Sequence, residues 1–465
     1  MAHVSFIQAL GSIAVAALVA CLGDKVRIGP NKLSLVTPEA FRDIYGFPSK
    51  TKKLFVKSDF YDSGATDPVY HARLRRVFTP SFSRTSLRAY EPVIHKYVDL
   101  FMSKLGKLGH PSGDGLNIAG AMNWLTFDII GKRTEHLNIV DVTIQPARRI
   151  PTHPPTNGVV GELAFGESFN AVADGRPHFW ISTVLESTHF QLLYSLRKKF
   201  SIIRLILPFV VPKDAAAKQE RFAAYTDEKI SRRIAQQQDA GHRQRDFFDD
   251  ALESGELSEA EIKGQAGVMI IAGSETAATT LSAVLYFLLK NPECRATLAE
   301  EVRGAFATAS EITGDAVAKL PYLRGVVEET LRIFSTVPFG LPRISPGEVV
   351  DGEYIPEGVE VSAANWQLAH DPRCWKDPWS FAPERWIGEG FGDKTNVYYP
   401  FGYGPRSCIG EALAYMELHI VVANMIFAYD WEWVNKELDW FKEVRLYGIW
   451  EKPALIVKFH PRGDL

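Results

Sequence analysis

The chain has 465 residues, 46% of them hydrophobic, and a formal net charge of −3. That is enough apolar sequence for a large buried core, and the near-neutral charge argues against a nucleic-acid binder, which would carry a basic face. Aromatic residues at 12% and charged residues at 23% describe an ordered globular protein rather than a disordered one.

Val4 to Leu22 is an uncharged run of 19 residues. At about 1.5 Å per residue its length nearly matches the ~30 Å hydrocarbon core of a bilayer. It reads as a membrane anchor, with Lys25 and Arg27 placing its C-terminal side in the cytoplasm. A cleaved signal peptide and a buried helix stand as alternatives, although no Lys or Arg precedes the run. Next, RIGPNKLSLV (27–36) reads as two short strands around a Gly-Pro-Asn turn. TPEAFRDIYG (37–46) reads as a helix with Thr37 as N-cap, Pro38 at its first position and Gly46 at its end. HARLRRVFTPSFS, starting at His71, opens as a basic helix, and helical periodicity prevails to about residue 340.

Residues 132–161 break that pattern, with four prolines, no aromatic residue and no sustained 3.6-residue period. A structureless stretch of that length is uncommon in a compact domain. Further on, Ser258 and Glu261 form a capping box and Leu257 with Ile262 a hydrophobic staple. The apolar pattern then runs to Lys290, where Asn291-Pro292 stops it. Such a helix, roughly 48 Å long, is apolar on most faces and should cross the core. Gly264, Gly267 and Gly273 lie inside it, each costing about 1 kcal/mol relative to Ala, so close approach of something flat or bulky is expected. Strand-like pieces return at 348–363 and 454–459. The fold class is therefore mainly α with a minor β-sheet.

The four cysteines (Cys21, Cys294, Cys374, Cys408) form no C-x-x-C pair and no zinc-like spacing, which favours a reducing compartment. Cys408 stands out by its context, Phe401-Gly-Tyr-Gly-Pro-Arg406-Ser-Cys408-Ile-Gly410, followed by an apolar helical stretch. A cysteine at a loop-to-helix junction meets backbone N–H groups and the positive end of the helix dipole, which favour the metal-binding thiolate. Gly410 removes a side chain where a flat macrocycle would lie, and Arg406 can reach a carboxylate of the same ligand. Taken alone, a lone cysteine is more often buried and structural.

This segment matches every fixed position of F-x-x-G-x-R-x-C-x-G and resembles the cytochrome P-450 family. Three further motifs follow that family's order. Glu329 and Arg332 form E-x-x-R, and Arg385 in FAPERW matches the arginine the family buries against that pair. Alone, Glu329 and Arg332 would read as an ordinary surface pair one helical turn apart. Ala272-Gly-Ser-Glu275-Thr276 resembles the oxygen-activation motif, with Thr276 and Glu275 relaying protons beside the dioxygen site. His71 and Arg75 match an aromatic-x-x-x-Arg pair, with His in place of the more usual Trp, and Arg343 matches another arginine that binds a haem carboxylate. Arg73 and Arg76 are read as solvated or facing a redox partner.

The resemblance implies a haem b cofactor on Cys408, with His71, Arg75, Arg343, Phe401, Arg406 and Gly410 around it. It implies a haem-thiolate monooxygenase of apolar, terpenoid- or polyketide-like substrates, most similar to fungal microsomal members of secondary metabolism. Electrons would come from an NADPH-dependent flavoprotein reductase, with the catalytic domain on the cytoplasmic face of the endoplasmic reticulum. The implied organisation is an anchor over 1–24 and a haem domain over 25–465, with 191–225 capping the substrate pocket. Two alternatives are a haem-thiolate isomerase or dehydratase, whose members tend to lose the acid-Thr pair, and a non-catalytic haem binder. Two departures stand against the pattern. Leu22-Gly-Asp-Lys25 runs almost directly into the first strand, without the proline-rich hinge and first helix of membrane-bound relatives. The family also joins NWLTFDIIG (123–131) directly to ELAFGESF (162–169), so 132–161 reads as retained intron or a surface insertion. Gly131-Lys132 can be encoded by GGT-AAG, a splice-donor sequence, and Val160-Gly161 by GTA-GGN, which contains an acceptor AG.

Overall fold

The computed structural model describes residues 23–61, 67–130, 170–176 and 246–463, with single positions between 183 and 231. The apolar run 4–22, the segment 132–161 and all but a few positions of 191–225 lie outside the described residues.

Strands β1 (Lys25–Gly29) and β2 (Lys32–Leu35) pair antiparallel across the Pro30-Asn31 turn. Helix α1 (Pro38–Tyr45) follows, and the Thr37 hydroxyl accepts from the Ala40 N–H at 3.1 Å. The chain leaves at Gly46, whose N–H donates to the Arg42 carbonyl. β3 (Val56–Lys57) leads to α2 (Pro68–Phe78) and α3 (Arg84–Leu108). β4 (Leu116–Asn117) runs into α4 (Ile118–Ile130), which is buried along nearly its whole length.

The central helix α5 spans Glu259–Lys290, and both hydrogen bonds of the capping box at Ser258 and Glu261 are present. From Ser274 to Leu289 it is almost entirely buried, against α4 and the later helices α6 (Pro321–Ile333) and α7 (Glu411–Ala428). Its earlier half is more open, with Val268 exposed. The interior glycines divide along the same line. A Cβ on Gly273 would lie 3.1 Å from Ile130 Cδ1, so a side chain there would press on α4. Around Gly264 and Gly267 no atom of the described residues comes within 4 Å of an added Cβ.

The C-terminal half supplies the remaining strands. β5 (Arg343–Ile344) is followed by the β6 (Glu348–Val350) and β7 (Glu353–Ile355) hairpin and by β8 (Glu360–Ala363). The five-stranded sheet has the order β1-β2-β8-β5-β3, and only the β2–β8 pairing within it is parallel. After α7 come β9 (Tyr429–Trp433), the short pair β10 (Arg445–Leu446) and β11 (Trp450–Glu451), and β12 (Ile456–Pro461), which lies between β4 and β9. Two consequences matter for the site. β3 and β5 set Lys57 opposite Arg343, and β11–β12 carries the C-terminal chain past α4 and α5.

Candidate active site

The cysteine loop is shaped by backbone geometry. Gly402 and Gly404 both have φ near +75°, a region that favours glycine. Gly404 is constrained twice over, because a Cβ there would sit 2.1 Å from the Tyr45 carbonyl oxygen at the end of α1. The turn closes when the Cys408 N–H donates to the Phe401 carbonyl at 2.7 Å. The Phe401 ring packs on Tyr415 of α7 at 5.0 Å, anchoring the loop to the helix it precedes. Arg75 of α2 holds the loop from the other side, donating to the Ser407 carbonyl at 2.6 Å and to its hydroxyl at 3.3 Å.

Cys408 lies among many protein atoms, yet its surface remains accessible. A Cβ on Gly410 would reach within 3.9 Å of Sγ and 3.8 Å of the Phe82 ring, so the glycine keeps that approach clear. The expected pull toward thiolate is outweighed in the protein alone. Burial pushes the thiol up, and Glu411 adds to this, against the opposing effects of the Gly410 N–H and Arg75. A bound cation reverses that balance, because a coordinating thiol is deprotonated outright.

Positive groups gather nearby. Both terminal nitrogens of Arg406 are buried without a partner among the described residues. Burial and Arg343 push its guanidinium down from the usual arginine range. Arg343 spends its Nη1 on the Tyr61 hydroxyl at 3.1 Å and on the Leu341 and Pro342 carbonyls, and stacks over Tyr45 and Tyr61. His71 is pushed down to about 4 by burial, then by Arg406, Lys57, Arg75 and Arg343, so it is neutral at pH 7. Sequence reasoning missed Lys57, whose ammonium burial, Arg406 and Arg343 lower to about 8, and Tyr61, whose ring lies 4.4 Å beneath it. Only the β3–β5 pairing brings Lys57 to the cluster, and no local motif signals it. Burying that much like charge is costly without an anion. The orphaned Arg406 donors and the open sulfur therefore fit a flat, dianionic, metal-bearing ligand such as haem.

The scaffold beneath the loop is a saturated ion cluster. Glu329 is fully buried and accepts from Arg332 Nε and Nη2, both at 2.8 Å. It also accepts from Arg385 Nε at 3.0 Å, the Ala382 N–H at 3.1 Å and Trp386 Nε1 at 3.0 Å. Arg385 further pairs with Asp393 at 2.7 Å, and Arg332 donates to the Ala369 and Pro378 carbonyls. The structure thus brings Glu329, Arg332 and Arg385 together, and adds Trp386 and Asp393, which the sequence reading did not include.

On α5, the Thr276 hydroxyl donates to the Ala272 carbonyl at 2.6 Å, the back-bonding that loosens a helix. Glu275 turns elsewhere. It is buried, ion-paired with Lys452, and accepts from the Thr279 hydroxyl at 3.3 Å. Arg73 pairs with Glu261 and Arg76 with Glu256, so both basic residues tie α2 to the start of α5.

A sequence model of the cytochrome P-450 family matches residues 152–456. Cytochrome P-450 monooxygenase BOA3 of Botryotinia fuckeliana (strain B05.10) is 37% identical, over 94% of this chain and 84% of its own length. Cytochrome P-450 monooxygenase BOT4 of Botryotinia fuckeliana is 32% identical over 94% and 79%. Cytochrome P-450 monooxygenase ORF9 of Penicillium roqueforti (strain FM164) is 31% identical over 94% and 82%. The crystal structure of a cytochrome P450DA heme domain superposes with a TM-score of 0.71 at 19% identity, covering 94% of this chain and 88% of that one, which shows the fold. The cofactor is haem iron, and the chain belongs to the cytochrome P-450 monooxygenase family.

Proposed function

We propose that this monooxygenase inserts one atom of dioxygen into a C–H bond of an apolar small molecule of terpenoid or polyketide type. The second oxygen atom leaves as water, with two protons and two electrons supplied through an NADPH-dependent flavoprotein reductase. The observation that carries this reading is the pairing of an accessible Cys408 with the unpartnered Arg406 donors. The names of fungal relatives support the reaction class.

When bound, haem ligated through a thiolate supplies the oxygen-activating chemistry. The chain's own residues do the rest. Cys408 would supply the sulfur ligand, and the Phe401 carbonyl, accepting from the Cys408 N–H, fixes its backbone. Arg75, Arg343 and Arg406, with His71 and Lys57, would hold the two carboxylates. Guanidinium forks suit that task. Thr276 moves protons at its hydroxyl, and Glu275 supplies the adjacent carboxylate. The anchor reading of 4–22, with the enzyme on the cytoplasmic face of the endoplasmic reticulum, belongs to the same proposal.

The test is a panel of terpenoids and polyketides added to the ferric protein, with haem absorbance as the readout. Binders are then incubated with NADPH and a flavoprotein reductase. An oxygenated product with matching NADPH consumption is expected. A rearranged or dehydrated product without NADPH consumption would replace this reading by the isomerase. For 132–161 we propose intron retention. Sequencing mature transcripts tests it, and thirty codons present in every transcript would refute it.

A further inference from the structure

Lys452 belongs to none of the motifs above. It follows β11 in Trp-Glu-Lys-Pro, a stretch with no chemical signature. Yet its side chain is only 6% exposed, and it ends against the oxygen-activation segment of α5. An ammonium has three donors, and here three acceptors from two helices meet it. They are Glu275 Oε1, in a short contact, Thr279 Oγ1 at 3.0 Å and Asn123 Oδ1 of α4 at 3.3 Å.

The carboxylate is left asymmetric. Glu275 Oε1 receives both Lys452 and the Thr279 hydroxyl. Oε2 is buried and has no partner among the described residues. Such an orphaned acceptor is costly, on the order of 1–3 kcal/mol. A buried ion pair also rarely improves on apolar packing of the same shape. Two penalties at one residue beside Thr276 argue that the arrangement serves chemistry rather than stability.

We propose that Lys452 is a positioning residue for oxygen activation. By engaging Oε1 it fixes the Glu275 side chain and leaves the buried Oε2, without a partner among the described residues, as the oxygen through which Glu275 would join the proton relay with Thr276. This rests on the reading of Glu275 as part of the relay. Lys452 itself touches neither substrate nor haem in this scheme and acts through Glu275.

The experiment uses the full haem-loaded chain with dioxygen as the only added ligand. The protein is photoreduced and mixed with aerated buffer in H2O or D2O, and its return to the ferric absorbance, as one electron and one proton leave with dioxygen as the hydroperoxyl radical, is timed. Lys452→Met is expected to slow this return on the order of tenfold, less than the 10²-fold that a 1 Å misplacement can cost, and to change the solvent isotope effect. Lys452→Arg, which keeps the charge, should restore both. In a Glu275→Gln background, Lys452→Met should have no further effect. That double variant removes both charges, so it also serves if Lys452→Met alone fails to fold. Lys452→Met with full haem content, unchanged rate and unchanged isotope effect overturns the proposal, as does an equal slowing in the Glu275→Gln background. A wild-type rate in Glu275→Gln alone instead removes Glu275 from the relay, which is a failure of the underlying reading.

Discussion

The guanidinium of Arg75 donates to the carbonyl oxygen of Ser407 at 2.6 Å, one residue before Cys408. Helix α2 therefore clamps the loop that presents the sulfur, and the same arginine stands in the cluster assigned to the haem carboxylates. Cluster and ligand can then be tested separately.

The ligand is tested by Cys408→Ala. Loop geometry survives this change, because the Cys408 N–H and the Phe401 carbonyl are backbone groups. The protein should fold but lose the thiolate-type absorbance of a reduced, CO-bound sample. A variant that keeps that spectrum places the ligand elsewhere.

Proton delivery is tested by Thr276→Ala. The hydroxyl that donates to Ala272 disappears, while the buried half of α5 is untouched. Haem and substrate binding should persist, with reducing equivalents diverted to peroxide. Product formation should fall by on the order of 10–100-fold, the lower range of general acid–base effects. Unchanged coupling of NADPH to product would sink the assignment.

Legibility from sequence followed chain distance. The bounds of α1 and α5 were readable because Thr37, Ser258 and Glu261 cap their own helices a few residues away. The cysteine loop was readable because its glycines, arginine and sulfur are contiguous. Trp386 and Asp393 complete the Glu329 cluster from a separate segment, and Lys57 and Lys452 arrive through sheet pairing and a C-terminal return. No local pattern encodes such arrivals. The glycines of α5 mark the same limit. Sequence gives their cost, but only packing shows that Gly273 lies against Ile130 while Gly264 and Gly267 meet none of the described residues.

The scaffold is tested by Glu329→Ala. Five donors converge on that carboxylate, and removing it leaves Arg332 and Arg385 buried beside each other. The expected cost is about 3–5 kcal/mol, as for breaking other buried pairs. Thermal unfolding should shift down and haem incorporation should fail. A stable holoprotein with normal haem content would contradict the structural role given to the cluster.

Glu417 lies on α7, nine residues beyond Cys408. It is buried, and its Oε1 has no partner among the described residues. Burial pushes its carboxyl up to about 8 from an ordinary 4.5. The folded state therefore holds a proton that the unfolded chain releases. For a raised carboxyl the stabilising contribution is complete below 4.5 and is lost as pH rises through 8. His370 and His419, both lowered to about 4 by burial, act at the other end, costing stability as pH falls from 6.5 toward 4. Above pH 6.5 the glutamate can be read apart from them. Between pH 6.5 and 8 its release should cost about 2 kcal/mol, at 1.36 kcal/mol per unit. Glu417→Gln cannot ionise and should abolish that slope, whatever constant offset the amide introduces. Other titrating groups are common to both proteins and cancel in the comparison. Denaturant unfolding of the two holoproteins at half-unit steps across this window measures the difference. Parallel stability curves would mean that Glu417 is already ionised in the folded protein.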